Sequence, residues 1–109
     1  MGYNIITTDK MDELLDNCIG YILQKFQNEQ AARHLLSKLD SMYDMLEINP
    51  MIYQISDDPF LSAMKYHEAK VDGMEYIVIY KVDNNNVYIL DIFHTLENYA
   101  DKMKIIWDM

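Results

Sequence analysis

The chain has 109 residues, half of them hydrophobic, and 18 acidic against 9 basic residues give it a formal net charge of −9. Its length predicts one domain over residues 1–109 that can bury a core without disulfides. Because phosphate contacts need Lys or Arg, this charge disfavours a nucleic-acid binder. No apolar run approaches the roughly 20 residues of a membrane-spanning helix.

Cysteine and histidine usage limits the chemistry further. The single cysteine, Cys18, excludes an internal disulfide and a cysteine-based zinc site, and it makes a reducing cytoplasm the expected location. The N-terminal residues lack the basic and apolar regions of a signal peptide. The histidines fall on different predicted elements without metal-ligand spacing, so neither a metal nor a cofactor is expected.

The first half of the chain predicts a short strand and two helices. Residues 3–8 alternate in the manner of a strand, and Thr8-Asp9 can cap a helix over roughly 10–27. Asn28 can cap a second helix, which Asn49-Pro50 should end because proline disfavours helix in the residue before it. Two helices joined so tightly predict an αα-hairpin.

Both predicted helices are amphipathic, with apolar residues three and four apart. Cys18 lies on this pattern, so we interpret it as a core residue. Gly20 costs about 1 kcal/mol relative to Ala within a helix, and a close helix crossing is one possible reason for it. The two apolar stripes are Met11, Leu14, Leu15, Cys18, Ile19, Ile22 and Phe26, then Ala32, Leu35, Leu36, Leu39, Met42, Tyr43 and Leu46.

The second half predicts a connecting loop followed by strands. Residues 50–64 hold both prolines without a clear period, and 65–71 can form a strand before a turn at Asp72-Gly73. Two apolar runs, 75–82 and 87–94, flank a turn and predict a β-hairpin. Residues 95–109 are expected to add a short third helix.

A turn placed symmetrically in this hairpin predicts which side chains share a face. The two middle faces are both apolar, so one should pack on the helices and the other should be covered by a partner. Asp91 would need a hydrogen-bond partner if it is buried. The first face is Tyr76, Val78, Tyr80 and Val82 with Val87, Ile89, Asp91 and Phe93, and the second is Ile77, Ile79 and Lys81 with Tyr88, Leu90, Ile92 and a terminal His94.

These elements predict an α+β domain of the order β-α-α-β-β-β-(α), with a helical hairpin packed on a small, mostly antiparallel sheet. Four segments make the prediction more specific: TTDKMDELLDNCIGYI, NEQAARHLLSKLDSMYDMLEINP, EYIVIYKVDNNNVYILDIFH and HTLENY. In this order and spacing, which covers nearly the whole chain, they resemble the RelE/ParE superfamily of bacterial toxins.

The resemblance implies the toxin of a type II toxin–antitoxin module, of the kind that serves plasmid stabilisation or the stress response. Family members either cleave mRNA on the ribosome or inhibit DNA gyrase, and a cognate antitoxin neutralises them by lying over their surface. The alternative is a catalytically inactive protein-binding module with the same fold. Self-association as a homodimer is a further possibility.

The residues leave enzymatic activity open. Ribonuclease members commonly carry arginines where this chain has Ile77 and Thr95. The remaining candidates for proton transfer and charge stabilisation are His94, Tyr99 and Lys65. His94 and Tyr99 each have a structural alternative, because His94 can bond backbone at a strand end and Tyr99 can pack the tail.

The remaining expectations concern His67 and the partner surface. We expect His67 to be an exposed strand residue. If an antitoxin covers the second hairpin face, the acidic charge of this chain favours a less acidic or basic antitoxin segment. The residues expected to contact it are Ile77, Ile79, Lys81, Tyr88, Leu90 and Ile92.

Overall fold

A computed structural model describes residues 2–95 of the chain. Within these residues four strands form one sheet, in which the fourth strand lies between the first and the third, and the second pairs with the third. The first and fourth strands are parallel, and the other neighbours are antiparallel. This mixed sheet with its helices is the predicted α+β fold. The tail helix expected over 95–109 lies, apart from Thr95, outside the described residues. In chain order the elements are β1 Asn4–Thr7, α1 Asp9–Lys25, α2 Glu29–Ile48, α3 Pro59–Ala63, β2 His67–Lys70, β3 Tyr76–Asp83 and β4 Asn86–His94.

The two long helices begin at the predicted caps. The Thr8 hydroxyl accepts the Met11 N–H at 3.1 Å, and the Asn28 side chain accepts the Ala31 N–H at 3.0 Å. Each bond satisfies one of the backbone donors that a helix N-terminus leaves without a partner. Asn49, in extended conformation before proline, ends α2 as expected.

The main hydrophobic core lies between α1, α2 and the sheet face that we call the first face. The predicted helix stripes supply most of it, and Cys18 packs against its margin. A Cβ added at Gly20 would meet nothing within 4 Å, so the close helix crossing considered for that residue was wrong. The buried members from the strands are Ala69, Val78, Tyr80, Val87, Ile89 and Ile92.

The hairpin register changes halfway along β4. Tyr80 pairs with Ile89 as predicted, but Ile79 pairs with Asp91, so Leu90 is an extra residue in a β-bulge. Because side chains alternate along a strand, this extra residue exchanges the two faces for everything after it. The predicted places of four residues were therefore wrong: Ile92 and His94 lie on the first face, and Asp91 and Phe93 lie on the opposite, second face.

The stretch expected to be a connecting loop contains a short helix that packs on this second face. The Asp58 side chain accepts the N–H groups of Phe60 and Leu61, and Pro59 occupies the first turn of α3. Leu61 is fully buried. Together with residues of the strands it forms a second cluster, which consists of Leu61, Tyr66, Ile79, Leu90 and Phe93.

Among residues 2–95, no helix combines the length and the apolar character that crossing a membrane requires.

Candidate functional site

The second sheet face is the surface expected to meet a partner, and the protein covers its centre itself. Ile79 and Leu90 are buried beneath α3 and Tyr66, and Ile92 is buried on the first face, among the helices. The sequence could not show this because the covering segment, 50–64, has no clear hydrophobic period. Three of the six expected contact residues are therefore buried within the chain.

The other three expected contact residues, Ile77, Lys81 and Tyr88, are half-buried and form what we call the exposed margin of the second face. Lys81 places its Nζ 5.9 Å from the centre of the Tyr66 ring, a cation–π distance. Burial, together with the nearby charge of Asp91, raises the pKa of Tyr66, so its hydroxyl stays protonated at neutral pH. The margin thus offers apolar and aromatic surface with one cation.

His94 lies at the end of the first face. It pairs with Tyr76 across the hairpin, and the two rings meet edge to face with centroids 5.5 Å apart. Tyr76 in turn packs against the main core. The candidate histidine is therefore on the helix side of the sheet and away from the exposed margin.

Lys65 lies at the other end of β3. It is exposed, has a positive φ of 60° and donates its backbone N–H to the Ser62 carbonyl at 2.9 Å. Lys65 comes two residues before His67, which pairs with Tyr80 of β3. His94 pairs with Tyr76, at the opposite end of β3. At about 3.4 Å per strand residue, this puts Lys65 and His94 on the order of 15–20 Å apart. Tyr99, the third candidate, lies outside the described residues.

His67 is buried, with 4% of its surface exposed, so the expectation of an exposed strand residue was wrong. It shares the first face with Ala69, and its ring stacks on Tyr80 with centroids 4.6 Å apart and planes inclined by 11°. Its Nδ1 lies 2.8 Å from the Tyr53 carbonyl oxygen. Because a carbonyl oxygen only accepts, Nδ1 must donate, which fixes this nitrogen in a structural bond.

Tyr80 belongs to the same buried group. Its hydroxyl donates to the Pro50 carbonyl at 2.7 Å, and burial raises its pKa above the usual value for a phenol. Tyr53, whose ring meets Tyr80 edge to face at 6.4 Å, also has a raised pKa because of burial. At neutral pH both hydroxyls therefore stay protonated, and that of Tyr80 serves as a hydrogen-bond donor within the fold.

The described residues thus contain several polar groups, but Lys65 and His94, the two candidate catalytic residues among them, do not come together. Within residues 2–95 there is also no group of three or more His, Cys, Asp or Glu side chains placed to hold a metal ion. Sequence reasoning missed Tyr66 and α3, which shape the second face. The signal for α3 was Asp58-Pro59, since Asp at the cap and Pro in the first turn favour a helix start.

Comparison with known proteins agrees with this geometry. The family model described as the ParE toxin of the type II toxin–antitoxin system, parDE, matches residues 5–99. No curated protein sequence matches the chain. A chain in the solved structure described as the chromosomal ParDE toxin–antitoxin system from P. aeruginosa has the same fold, with a TM-score of 0.65 at 15% identity over 84% of this chain and 95% of that chain.

The family match covers most of the chain, and the element order is the one that the resemblance implied. These findings favour a toxin over the alternative of a catalytically inactive binding module. The chain therefore belongs to the ParE toxin family and is the toxin component of a type II toxin–antitoxin system, with a cognate antitoxin as its partner.

Proposed function

We propose that this toxin arrests growth by binding a protein target and not by cleaving RNA. The observation that carries the proposal is the separation of Lys65 and His94 at opposite ends of β3. Given membership of the ParE family, the target proposed is DNA gyrase in the cytoplasm.

The chemistry of RNA cleavage explains why that separation matters. A base must activate the 2′-hydroxyl, an acid must protonate the leaving oxygen, and cations must stabilise the charge on phosphorus, all within hydrogen-bond reach of one phosphate. Lys65 and His94 are separated by on the order of 15–20 Å along the sheet, which is too far for both to contact one phosphate. His67 is held in the core by its stack on Tyr80 and its bond to Tyr53.

For the antitoxin, we propose contact at the exposed margin formed by Ile77, Lys81 and Tyr88. These side chains are half-buried and adjoin the covered centre of the second face, so a partner can extend an apolar surface that already exists. Self-association of the toxin remains a separate expectation, which sedimentation of the toxin alone would check.

The test compares two readouts after induction of the toxin in a bacterial culture. We expect growth arrest with a change in the supercoiling of a reporter plasmid while bulk mRNA stays intact. Co-expression of the adjacent antitoxin gene should relieve the arrest. The His94→Ala and Lys65→Ala variants should arrest growth as well as the parent chain, with the exposed Lys25→Ala variant as a matched control.

The opposite pattern would overturn the proposal. Rapid appearance of cleaved mRNA, lost in His94→Ala but not in Lys25→Ala, would make the toxin a ribonuclease. Normal growth with folded, soluble toxin present would instead contradict both modes of action. For the margin, Ile77→Ser should weaken antitoxin binding because the contact proposed there is apolar, and Leu23→Ser, at an exposed site on α1, should not.

A further inference from the structure

The end of α2 exposes more apolar surface than a solvated helix end needs. Ile48 is 82% exposed, and Met45, Met51 and Ile52 are between 41% and 59% exposed. Met45 and Ile48 are three residues apart on the helix, which makes their side chains neighbours. Met51 and Ile52 lie in the turn directly after the helix, where both of their N–H groups bond Asn49, at 3.1 and 3.3 Å.

Acidic side chains border this apolar surface. Asp44 and Glu47 are exposed and lie on the same helix turn as Ile48, with Asp44 four residues before it. We call these two carboxylates, with Met45, Ile48, Met51 and Ile52, the α2-end surface. No Lys, Arg or His occurs anywhere between residues 39 and 64, where the acidic residues are Asp40, Asp44, Glu47, Asp57 and Asp58.

The helix itself adds to the negative potential. The C-terminal end of a helix carries partial negative charge, which proteins usually offset with Lys, Arg or His in the last turn. The last turn of α2 has no basic residue. The carboxylates and the helix end therefore both make the local electrostatic potential negative, and a bound cation would offset both contributions.

The surface is held in place before any partner arrives. The Glu47 carbonyl accepts the Tyr3 N–H at 2.8 Å, which ties the helix end to the residue before β1. The Pro50 carbonyl accepts the Tyr80 hydroxyl at 2.7 Å, which ties the next turn to β3. A partner that binds here does not have to order the toxin's backbone, so less binding energy is lost.

We propose that the α2-end surface docks a basic, amphipathic segment of the cognate antitoxin. Apolar side chains of that segment would cover Met45, Ile48 and Ile52. Its Lys or Arg side chains would pair with Asp44 and Glu47. The contact is additional to the exposed margin of the second face, and it rests on the toxin having an antitoxin and not on the toxin's cellular target.

Charge distinguishes this occupant from the others. A second copy of the chain would bring a second set of these carboxylates against the first, in a protein of net charge −9, and like charges placed together oppose association. A nucleic acid would meet the same repulsion. A basic protein segment is the occupant whose charge and apolar surface both match.

The experiment measures the affinity of the toxin for the protein encoded by the adjacent antitoxin gene, at low and high salt. The test variant is Asp44→Lys/Glu47→Lys, whose new lysines also suit a helix C-terminus and should preserve folding. The control is Asp16→Lys/Asp83→Lys, which makes the same change in net charge at exposed sites elsewhere. Ile48→Ser tests the apolar part separately.

We expect the test variant to bind roughly tenfold or more weakly at low salt and to lose much of the salt dependence. The control should stay within about threefold of the parent toxin, and Ile48→Ser should weaken binding at both salt concentrations. Equal effects of test and control variants would overturn the proposal. So would variants that change sedimentation of the toxin alone while antitoxin affinity stays unchanged, because the occupant would then be a second copy.

The result is independent of how the toxin acts. If growth arrest proves to depend on mRNA cleavage, the proposed target is wrong while these affinities stand. If affinities are unaffected and supercoiling still changes, only the docking surface is wrong.

Discussion

The hydroxyl of Tyr80 donates a 2.7 Å hydrogen bond to the carbonyl oxygen of Pro50, and so links the third strand to the turn after the second helix. Both residues are buried, so removing the donor leaves the carbonyl without this partner. We expect Tyr80→Phe to lower the free energy of unfolding by about 1–3 kcal/mol. Urea denaturation followed by circular dichroism measures this change.

Tyr21→Phe is the matched control for that substitution, because Tyr21 is 55% exposed and its hydroxyl can bond water. It should change stability by less than about 0.5 kcal/mol. Equal losses for the two variants would show that the Tyr80 bond does not matter to stability.

Leu61 tests whether α3 is an integral part of the fold. Its side chain is fully buried against the second cluster, so Leu61→Ala should leave a cavity and cost about 2–5 kcal/mol. Leu36→Ala, at a site that is 41% exposed, should cost less than about 1 kcal/mol. A small loss at Leu61 would mean that α3 contributes little to covering the second face.

Gly20 and Gly73 should respond to alanine in opposite directions. Gly20 lies inside α1 with open space around it, so Gly20→Ala should stabilise the toxin by about 1 kcal/mol. Gly73 has a φ of +75°, where a Cβ is strained, so Gly73→Ala should cost about 1 kcal/mol or more. Thermal unfolding of the pair checks both signs, and destabilisation by Gly20→Ala would contradict the open space.

Tyr43 should make stability depend on alkaline pH. Burial, and then the charges of Asp12 and Asp40, raises its pKa from 10.0 to about 12. The folded state therefore keeps this proton while the unfolded chain releases it, so the contribution is complete below pH 10 and is lost as pH rises from about 10 to about 12. The difference between the unfolding free energies of the parent toxin and of Tyr43→Phe, measured across this pH range, isolates the contribution of the Tyr43 hydroxyl.

The same substitution has a second expected effect near neutral pH. The Tyr43 hydroxyl oxygen is buried without a hydrogen-bond partner among residues 2–95. Replacing it with Phe should therefore leave stability unchanged or raise it by up to about 1 kcal/mol. A clear loss would indicate that the hydroxyl contributes a favourable interaction.

Much of this fold could be predicted because its signals are local. Thr8 and Asn28 cap helices whose apolar residues recur at helical spacing, and Asn49-Pro50 ends the second helix. The strand pair around Asp83 and Asn86 was found from two apolar runs and a turn. Each of these features is written into a few neighbouring residues, and none depends on distant packing.

The rest depended on contacts between distant segments. Both faces of the hairpin are apolar, so the extra residue Leu90 leaves no break in the hydrophobic pattern. The predicted symmetric pairing was therefore correct as far as Tyr80 and Ile89 and wrong beyond them. α3 is five residues long and gains its stability from covering Ile79 and Leu90, which no periodicity shows. His67 was predicted to be exposed, although the apolar residues Ala69 and Val71, two and four positions later, already indicated that this side of the strand is buried.

The bulge in β4 also marks the position at which that strand can lose one residue while its later side chains keep their faces. Deleting Leu90 would remove the bulge and restore simple alternation, with Ile92 and His94 staying on the first face and Phe93 staying on the second. A one-residue deletion after Leu90 that left the bulge in place would instead move each later side chain to the opposite face. Alignments of this chain with other toxins can therefore place a one-residue gap in β4 at Leu90, and should otherwise place gaps in the Asn84-Asn85 turn.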